Sequence, residues 1–287
     1  MVFCSFNRTF AALNYTINVR GRLMDLSVPR VMGILNATPD SFYAASRSQT
    51  EVELVRRARQ IIDEGGDIID VGACSTRPDS TPATEAEEME RLRLALGILR
   101  REMPDAVISV DTFRPAVARM AVEEYGADII NDVGAPSHSG DEEGGSMFRM
   151  VARLGVPYIY MSRAADIGTM IREMAQGVQQ LRAFGQKDII IDPGFGFGKM
   201  LEDNYGVMRD LQQLQVLGLP VLVGVSRKSM IYRLFDTQPE QALNGTTVLN
   251  TLALTKGASI LRVHDVKEAV ECVKIVAATE SQPTGNK

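Results

Sequence analysis

Short apolar runs rich in Val and Ile recur along the chain, at residues 31–35, 67–71, 106–110, 128–131, 156–161, 188–191, 220–225 and 259–263. Each is apolar mostly on consecutive positions, the pattern of strands buried on both faces of a parallel sheet. Between them lie segments of helical period. In 52–64 the positions Val52, Val55, Ile61 and Ile62 fall near helical spacing with Arg56, Arg57 and Arg59 between them. Segment 85–101 is acidic at its start and then sets Met89, Leu92, Leu96 and Leu99 along one face. Further helices are expected over 115–125, 146–154, 166–184, 202–217, 239–256 and 266–278. Gly65, Gly126, Gly155, Gly185, Gly218 and Gly257 each follow one of these helices, where a left-handed cap residue belongs.

The pattern is eight strands alternating with eight helices over residues 31–280. That is close to the roughly 250 residues of a closed α/β barrel, and nothing Pro- or Ser-rich divides the chain into two domains. The fold class is therefore a single (β/α)8 TIM barrel. Residues 15–30 precede it. There, 15–19 and 22–26 flank Arg20-Gly21 and predict a β-hairpin covering the barrel bottom. Residues 1–14 are expected to be an extension of no clear structure, and 281–287 a polar tail.

Composition narrows the function. The chain has 287 residues, 45% hydrophobic and 23% charged, with a net charge of −5. This is the composition of a globular protein. The charge disfavours a general nucleic-acid or anionic-membrane binder, so an anionic ligand would need a local cationic cluster. Three cysteines and two histidines, none at ligand spacing, argue for reduced thiols in a cytoplasmic protein and against structural zinc. No run is long enough to cross a membrane.

In such a barrel, ligands sit at the C-terminal ends of the strands. Asp111, Asn131, Asp192 and Lys228 fall at strand ends and suit a flat heterocycle carrying N–H donors and a carbonyl. A second set, Asn36, Arg77, Arg262 and His264, suits phosphate oxygens and contains no carboxylate. Taken singly, each residue has a plainer reading. Asp111 caps the helix near Pro115, Asp192-Pro193-Gly194 is turn chemistry, Arg262 and His264 pair with Asp265, and Met161, Phe42 and Phe197 are packing residues. The functional reading rests on all of them falling at one end of one barrel.

The motifs Gly33–Phe42 (GILNATPDSF), Asp70–Pro78 (DVGACSTRP), Ser109-Val-Asp-Thr112, Ile130-Asn-Asp132, Asp192–Lys199 (DPGFGFGK), Ser226-Arg-Lys-Ser229 and Arg262-Val-His-Asp265 occur in order at successive strand ends. In these motifs the chain resembles the dihydropteroate synthase family over nearly the whole barrel. The resemblance implies condensation of 6-hydroxymethyl-7,8-dihydropterin diphosphate with 4-aminobenzoate to 7,8-dihydropteroate and diphosphate, by a dissociative displacement. It implies a pterin site of Asp111, Asn131, Met161, Asp192 and Lys228. Diphosphate would be held by Asn36, Arg262 and His264, with Mg²⁺ near Asn36. Phe42, Thr76, Arg77, Pro78, Phe197 and Ser229 would form the aminobenzoate pocket and its mobile loops. Asp111, Asp192, Lys228, Arg262 and His264 would carry the catalysis.

The sequence departs from the family at loop one. Phe42 is followed by Tyr43-Ala-Ala-Ser-Arg47 where Asp-Gly-Gly is usual; Asp79 replaces a glycine in loop two, and strand five ends Tyr160-Met-Ser-Arg163. A methyltetrahydrofolate-dependent methyltransferase would share the strand-end Asp and Asn residues but have no use for the cationic set. A non-catalytic pterin-binding protein would bind without turnover. By resemblance the partners are these small molecules and a second copy of the chain, through apolar positions of the last two helices.

Overall fold

The computed structural model describes residues 15–37, 47–74, 83–134 and 147–280. Phe42, Thr76, Arg77 and Pro78, with Tyr43–Ser46 and Asp79, lie outside them, as do 1–14 and 281–287. Two short strands open the fold, β1 (Thr16–Val19) and β2 (Arg22–Asp25), paired antiparallel. Arg20 and Gly21 turn between them with φ of 52° and 76°. Two left-handed residues give the turn whose twist matches a hairpin, and Gly21 takes that conformation without a Cβ penalty.

The barrel follows as β3 (Arg30–Asn36), α1 (Arg47–Asp63), β4 (Ile68–Gly72), α2 (Glu85–Glu102), β5 (Ile108–Asp111) and α3 (Pro115–Tyr125). It continues with β6 (Ile129–Asp132), α4 (Met147–Leu154), β7 (Tyr158–Met161), α5 (Ile167–Ala183), β8 (Ile189–Asp192) and α6 (Leu201–Asp210). It ends with β9 (Leu222–Val223), α7 (Ser229–Tyr232), α8 (Leu243–Thr255), β10 (Ile260–Val263) and α9 (Val266–Glu280). Eight parallel strands run in the order β8-β7-β6-β5-β4-β3-β10-β9, and a single bridge, Ile191 to Val221, brings the two ends together.

Three expectations are corrected. The strand expected over 220–225 shrinks to two residues, because Pro220 has no N–H to give the ladder and Gly224 has no side chain to pack. The helix expected over 202–217 is α-helical only to Asp210 and then a 3₁₀ helix, Leu211–Leu217. Leu211, Leu214 and Leu217 recur every third residue, the spacing that keeps one face buried when the helix tightens to three residues per turn. The helix expected over 239–256 begins as a separate 3₁₀ turn, Pro239–Gln241, and becomes α-helical at Leu243. Between β9 and that turn lies the short helix α7, which the periodicity does not predict.

Two cores hold the fold. The larger lies between the strands and the helical ring and includes Ile61, Leu92, Leu96, Leu99, Val110 and Ile191, all at most 1% exposed. The smaller fills the barrel bottom. There Met32, Ile68, Ile129, Ile159, Ile190, Leu222 and Ile260 meet Ile17, Val19 and Leu26 of the hairpin segment. The hairpin tip is pinned as well. Arg20 donates to Asp128 at the entry to β6 and to the carbonyls of Pro104 and Ala106, the latter two at 2.9 and 2.8 Å. The hairpin thus plugs the N-terminal end of the barrel and leaves the other end open for chemistry.

Candidate active site

Side chains along a strand alternate between its faces. The bottom layer of the barrel points inward, so positions two residues later point inward one layer higher. Counting up from Ile68, Ile129, Ile159, Ile190, Leu222 and Ile260 gives Asp70, Asn131, Met161, Asp192, Gly224 and Arg262. On β5 the same count from Val107 gives Ser109 and then Asp111. Apolar residues close the floor, and the positions above it carry Asp70, Ser109, Asn131, Asp192 and Arg262.

Arg262 ties this layer together. Its Nε donates to Asp70 Oδ2 at 2.6 Å and its Nη2 to Asp111 Oδ2 at 2.7 Å. Asn131 Nδ2 also donates to Asp70 Oδ2, at 3.1 Å. Asp70 is fully buried, yet its Oδ1 has no partner among the described residues, and neither does Asn131 Oδ1. Orphaned buried acceptors are costly unless something donates to them. The stem of Arg262 packs over Gly224, where an added Cβ would meet it at ordinary contact distance, 3.7 Å.

The charges respond to this crowding. Desolvation pushes the Asp111 carboxyl up to about 7 and the nearby Asp70 charge adds to it, while Arg262 pulls it down. Burial also raises Asp192, against the opposing pull of Lys228. The Lys228 ammonium is lowered to about 8 by desolvation, although Asp192 favours its charge. For Arg262, desolvation works against the charge, but Asp70 and Asp111 outweigh it and hold the guanidinium protonated.

Asp192 is set by the loop after β8. Its Oδ1 accepts from Gly194 N–H at 2.8 Å. Gly194 has φ of 63°, and a Cβ there would come within 2.3 Å of the Ser162 carbonyl, so only glycine fits. Lys199 is buried beneath this loop and donates to the Gly194 carbonyl at 2.9 Å and the Ser162 carbonyl at 3.3 Å. Lys228 donates to the Phe195 carbonyl and lies 4.7 Å from the centre of the half-buried Phe197 ring. Ser229 opens α7 directly after it.

Arg227 is a non-glycine residue at φ 54°, a conformation that costs about 1–2 kcal/mol. Partners on several sides hold it there. Its side chain makes a two-pronged pair with Asp265 at 2.9 and 2.8 Å, and its N–H donates to Thr246 Oγ1 at 3.0 Å. The turn so fixed places Ser226 against His264. Ser226 Oγ lies 3.0 Å from His264 Nδ1 and accepts from the His264 N–H at 3.1 Å. The His264 carbonyl accepts from Arg57 Nη2 at 2.5 Å. Burial and the neighbouring Arg262 push the His264 imidazole down to about 4, so it is neutral near pH 7. His264, Asn36, Arg57 and Arg227 line one recess of about 490 Å³. A wider recess, about 780 Å³, lies among charges of both signs on α1 and α2, with no strand-end residue in it.

Comparison with known proteins identifies the family. The family model of pterin-binding enzymes matches residues 32–264. The chain belongs to the pterin-binding enzyme family. The dihydropteroate synthase of Escherichia coli strain K12 is 37% identical over 279 residues, covering 91% of this chain and 95% of that protein. That of Bacillus subtilis strain 168 is 37% identical, covering 86% and 87%. The solved dihydropteroate synthase of Xanthomonas albilineans with 4-aminobenzoic acid superposes with a TM-score of 0.83 at 35% identity, over 94% of this chain and all of that one. The Coxiella burnetii enzyme in complex with pteroic acid gives 0.79 at 33% identity, over 93% and 99%.

In this pterin-binding enzyme the structure brings Asp111, Asn131, Asp192, Lys228, Arg262 and Met161 to one rim, with Asn36 and His264 beside them. Two plainer readings are set aside. Asp111 does not cap α3, whose N-cap position is Arg114 with no side-chain cap bond, and Asp265 pairs with Arg227, not with Arg262 or His264. One expectation fails outright. The cationic set is not free of carboxylates, because Arg262 is shared between Asp70 and Asp111. Sequence reasoning assigned no role to Asp70, Ser226, Arg57 or Lys199. Among the described residues, no three His, Cys, Asp or Glu side chains gather as a metal site. Asn36, exposed at the end of β3, offers one amide oxygen. A hard donor of that kind suits Mg²⁺ that already carries diphosphate oxygens and water.

Proposed function

We propose that the chain is a dihydropteroate synthase, joining 6-hydroxymethyl-7,8-dihydropterin diphosphate to 4-aminobenzoate with release of diphosphate. The observation that carries the site assignment is the buried Asp70–Arg262–Asp111 cluster with unpartnered acceptors on Asp70 and Asn131. A pterin ring has ring and amino N–H groups, which such acceptors take, and a carbonyl, which the Lys228 ammonium can meet. Met161 packs beneath it.

The guanidinium of Arg262 carries five N–H donors, and two are committed to Asp70 and Asp111. Three remain for an anion without breaking either pair. His264 and Asn36 complete the anion side, and Mg²⁺ held there with Asn36 would offset diphosphate charge. A primary carbon bonded to diphosphate reacts slowly with a weak aromatic amine. The path is therefore dissociative: the carbon–oxygen bond breaks toward diphosphate, and the pterinylmethyl cation is then captured by the amine nitrogen, which gives up a proton. Asp111 and Asp192 stabilise the cation through space, and Arg262 and His264 stabilise the departing anion. Phe197, Ser229, Phe42, Thr76, Arg77 and Pro78 are assigned to the aminobenzoate pocket.

The homodimer is proposed on exposed Val248 and Leu252 of α8 and Ile275 of α9, which are 50%, 41% and 62% exposed. A cytoplasmic setting is proposed from the sparse cysteines; among the described residues no helix is long and apolar enough to cross a membrane. The test is a single assay of purified protein with Mg²⁺ and both substrates. Formation of dihydropteroate with one diphosphate per product is expected. Pterin binding without product would refute the synthase reading.

A further inference from the structure

We propose that Ser226 is a positioning residue that fixes His264 as the neutral imidazole with its proton on Nε2, so that Nε2–H is the group offered to the diphosphate. The inference deepens the proposed function and rests on it for the identity of the anion.

The available hydrogens decide the tautomer. The His264 backbone N–H can only donate, and it points at Ser226 Oγ from 3.1 Å. One lone pair of the hydroxyl is therefore used. The same Oγ is 3.0 Å from His264 Nδ1. Two arrangements remain. If Nδ1 carried a proton, Oγ would accept twice, and its own hydrogen would need a further acceptor. Ser226 is 4% exposed, and no other acceptor for its hydroxyl is found among the described residues. A buried hydroxyl hydrogen with no acceptor gives up its hydration for nothing, which disfavours this arrangement. If Nδ1 is bare, the hydroxyl hydrogen goes to it and every group is satisfied.

The imidazolium is disfavoured on separate grounds. The ring is buried beside the Arg262 guanidinium, with Arg57 and Arg227 also near, and the Asp265 carboxylate opposes them. Asp265 is itself committed to Arg227 at 2.9 and 2.8 Å. The backbone on either side of the ring is also held, by Ser226 at the N–H and by Arg57 Nη2 at the carbonyl, 2.5 Å away. The ring thus keeps one face of its chemistry inward to Ser226 and presents a single N–H donor outward. A histidine of this kind stabilises a leaving anion by donation and does not supply it with a proton.

The chain has only two histidines, His138 and His264, so long-range proton–nitrogen NMR of imidazole-labelled protein resolves both. A His138→Gln variant assigns them. In the ligand-free wild type, His264 is expected to show a protonated Nε2 and a bare Nδ1. Ser226→Ala is expected to mix the two tautomers and to weaken inorganic diphosphate binding about tenfold, with hydroxymethylpterin binding unchanged. Ser226→Thr, which keeps the hydroxyl, is expected to restore both. A protonated Nδ1 in the wild type would overturn the inference and leave the synthase reading intact. Unaltered tautomer in a folded Ser226→Ala would overturn it equally. An Nε2–H that does not respond to saturating diphosphate would instead remove His264 from the anion site.

Discussion

Replacing Arg262 by alanine separates the structural role of its guanidinium from the proposed role toward the diphosphate. Toward the protein, it neutralises Asp70 and Asp111 at 2.6 and 2.7 Å. Removing one partner of a buried ion pair costs about 3–5 kcal/mol, because the other charge is left uncompensated. At roughly 2–4 °C per kcal/mol, the midpoint of thermal unfolding should fall by about 6–20 °C. Toward the ligand, loss of two charge-assisted hydrogen bonds at about 1.5–3 kcal/mol each removes ~3–6 kcal/mol, roughly 10²- to 10⁴-fold in affinity. Only the diphosphate ester should suffer that loss.

The stability loss should depend on pH in a definite direction. Asp111 already stands at about 7 with Arg262 in place, and Arg262 is a lowering influence. In the variant it must climb further, while in the unfolded chain an aspartate titrates near 3.9. The folded variant therefore binds a proton that the unfolded chain releases. Its stability is greatest below the unfolded pKa and is lost as pH rises through the folded one. The melting deficit should be small at about pH 5 and large at about pH 8. The assay is calorimetric titration of Arg262→Ala with hydroxymethyldihydropterin and with its diphosphate, beside thermal melts at both pH values. Equal affinity losses for the two ligands would refute the anion role. A melting deficit independent of pH would refute the electrostatic account of the cluster.

Asp192→Asn should weaken both pterin ligands together, by about 10- to 100-fold for one lost charge-assisted bond; unchanged pterin affinity in titration would break the map of the ring site. Lys228 titrates at about 8, below its ordinary value, so pterin affinity should decline as pH rises through about 8 and the ammonium is lost; Lys228→Met should bind weakly at all pH values and erase that decline. The same shift has the opposite effect on folding, since the folded chain binds this proton less tightly and Lys228 destabilises it less as pH rises from about 8 toward the unfolded value near 10.4. Ile17→Ala empties a site 1% exposed beneath the barrel and should cost about 2–5 kcal/mol in denaturant unfolding with Michaelis constants unchanged; altered Michaelis constants would show that the floor is coupled to the site.

The barrel was legible because its signal is local and repeated. A buried parallel strand needs only consecutive apolar residues, and 189–192 (Ile-Ile-Ile-Asp) announces both the strand and the polar residue that ends it. The 3₁₀ segment was hidden for the opposite reason. Leu211, Leu214 and Leu217 also fit an α-helix loosely, and only packing distinguishes three residues per turn from 3.6. The short helix α7 carries four residues, too few for any period to show.

Asp70 was harder, and its case shows where sequence reasoning stops. It lies inside β4, between Ile69 and Val71, not at a strand end. One signal was available: a carboxylate in an otherwise apolar, doubly buried strand is costly unless paired. Counting two residues from the floor at Ile68 would have placed it inside the barrel. What no count supplies is its partner, Arg262, 192 residues away. That pairing changes the electrostatic picture of the site. Separate carboxylate and cation sets would give a strongly positive anion pocket, yet the carboxylates proposed to receive the ring also neutralise the guanidinium proposed to receive the diphosphate. Ring and anion therefore draw on the same charges. A pterin N–H donated to the unpartnered Asp70 Oδ1 would draw negative charge from that carboxylate and leave the Arg262 guanidinium, held at Oδ2, less neutralised toward phosphate oxygens. On this geometry the two halves of the substrate should bind with a favourable coupling that neither half shows alone, and Asp70→Asn should abolish the coupling in a two-ligand titration with hydroxymethylpterin and diphosphate.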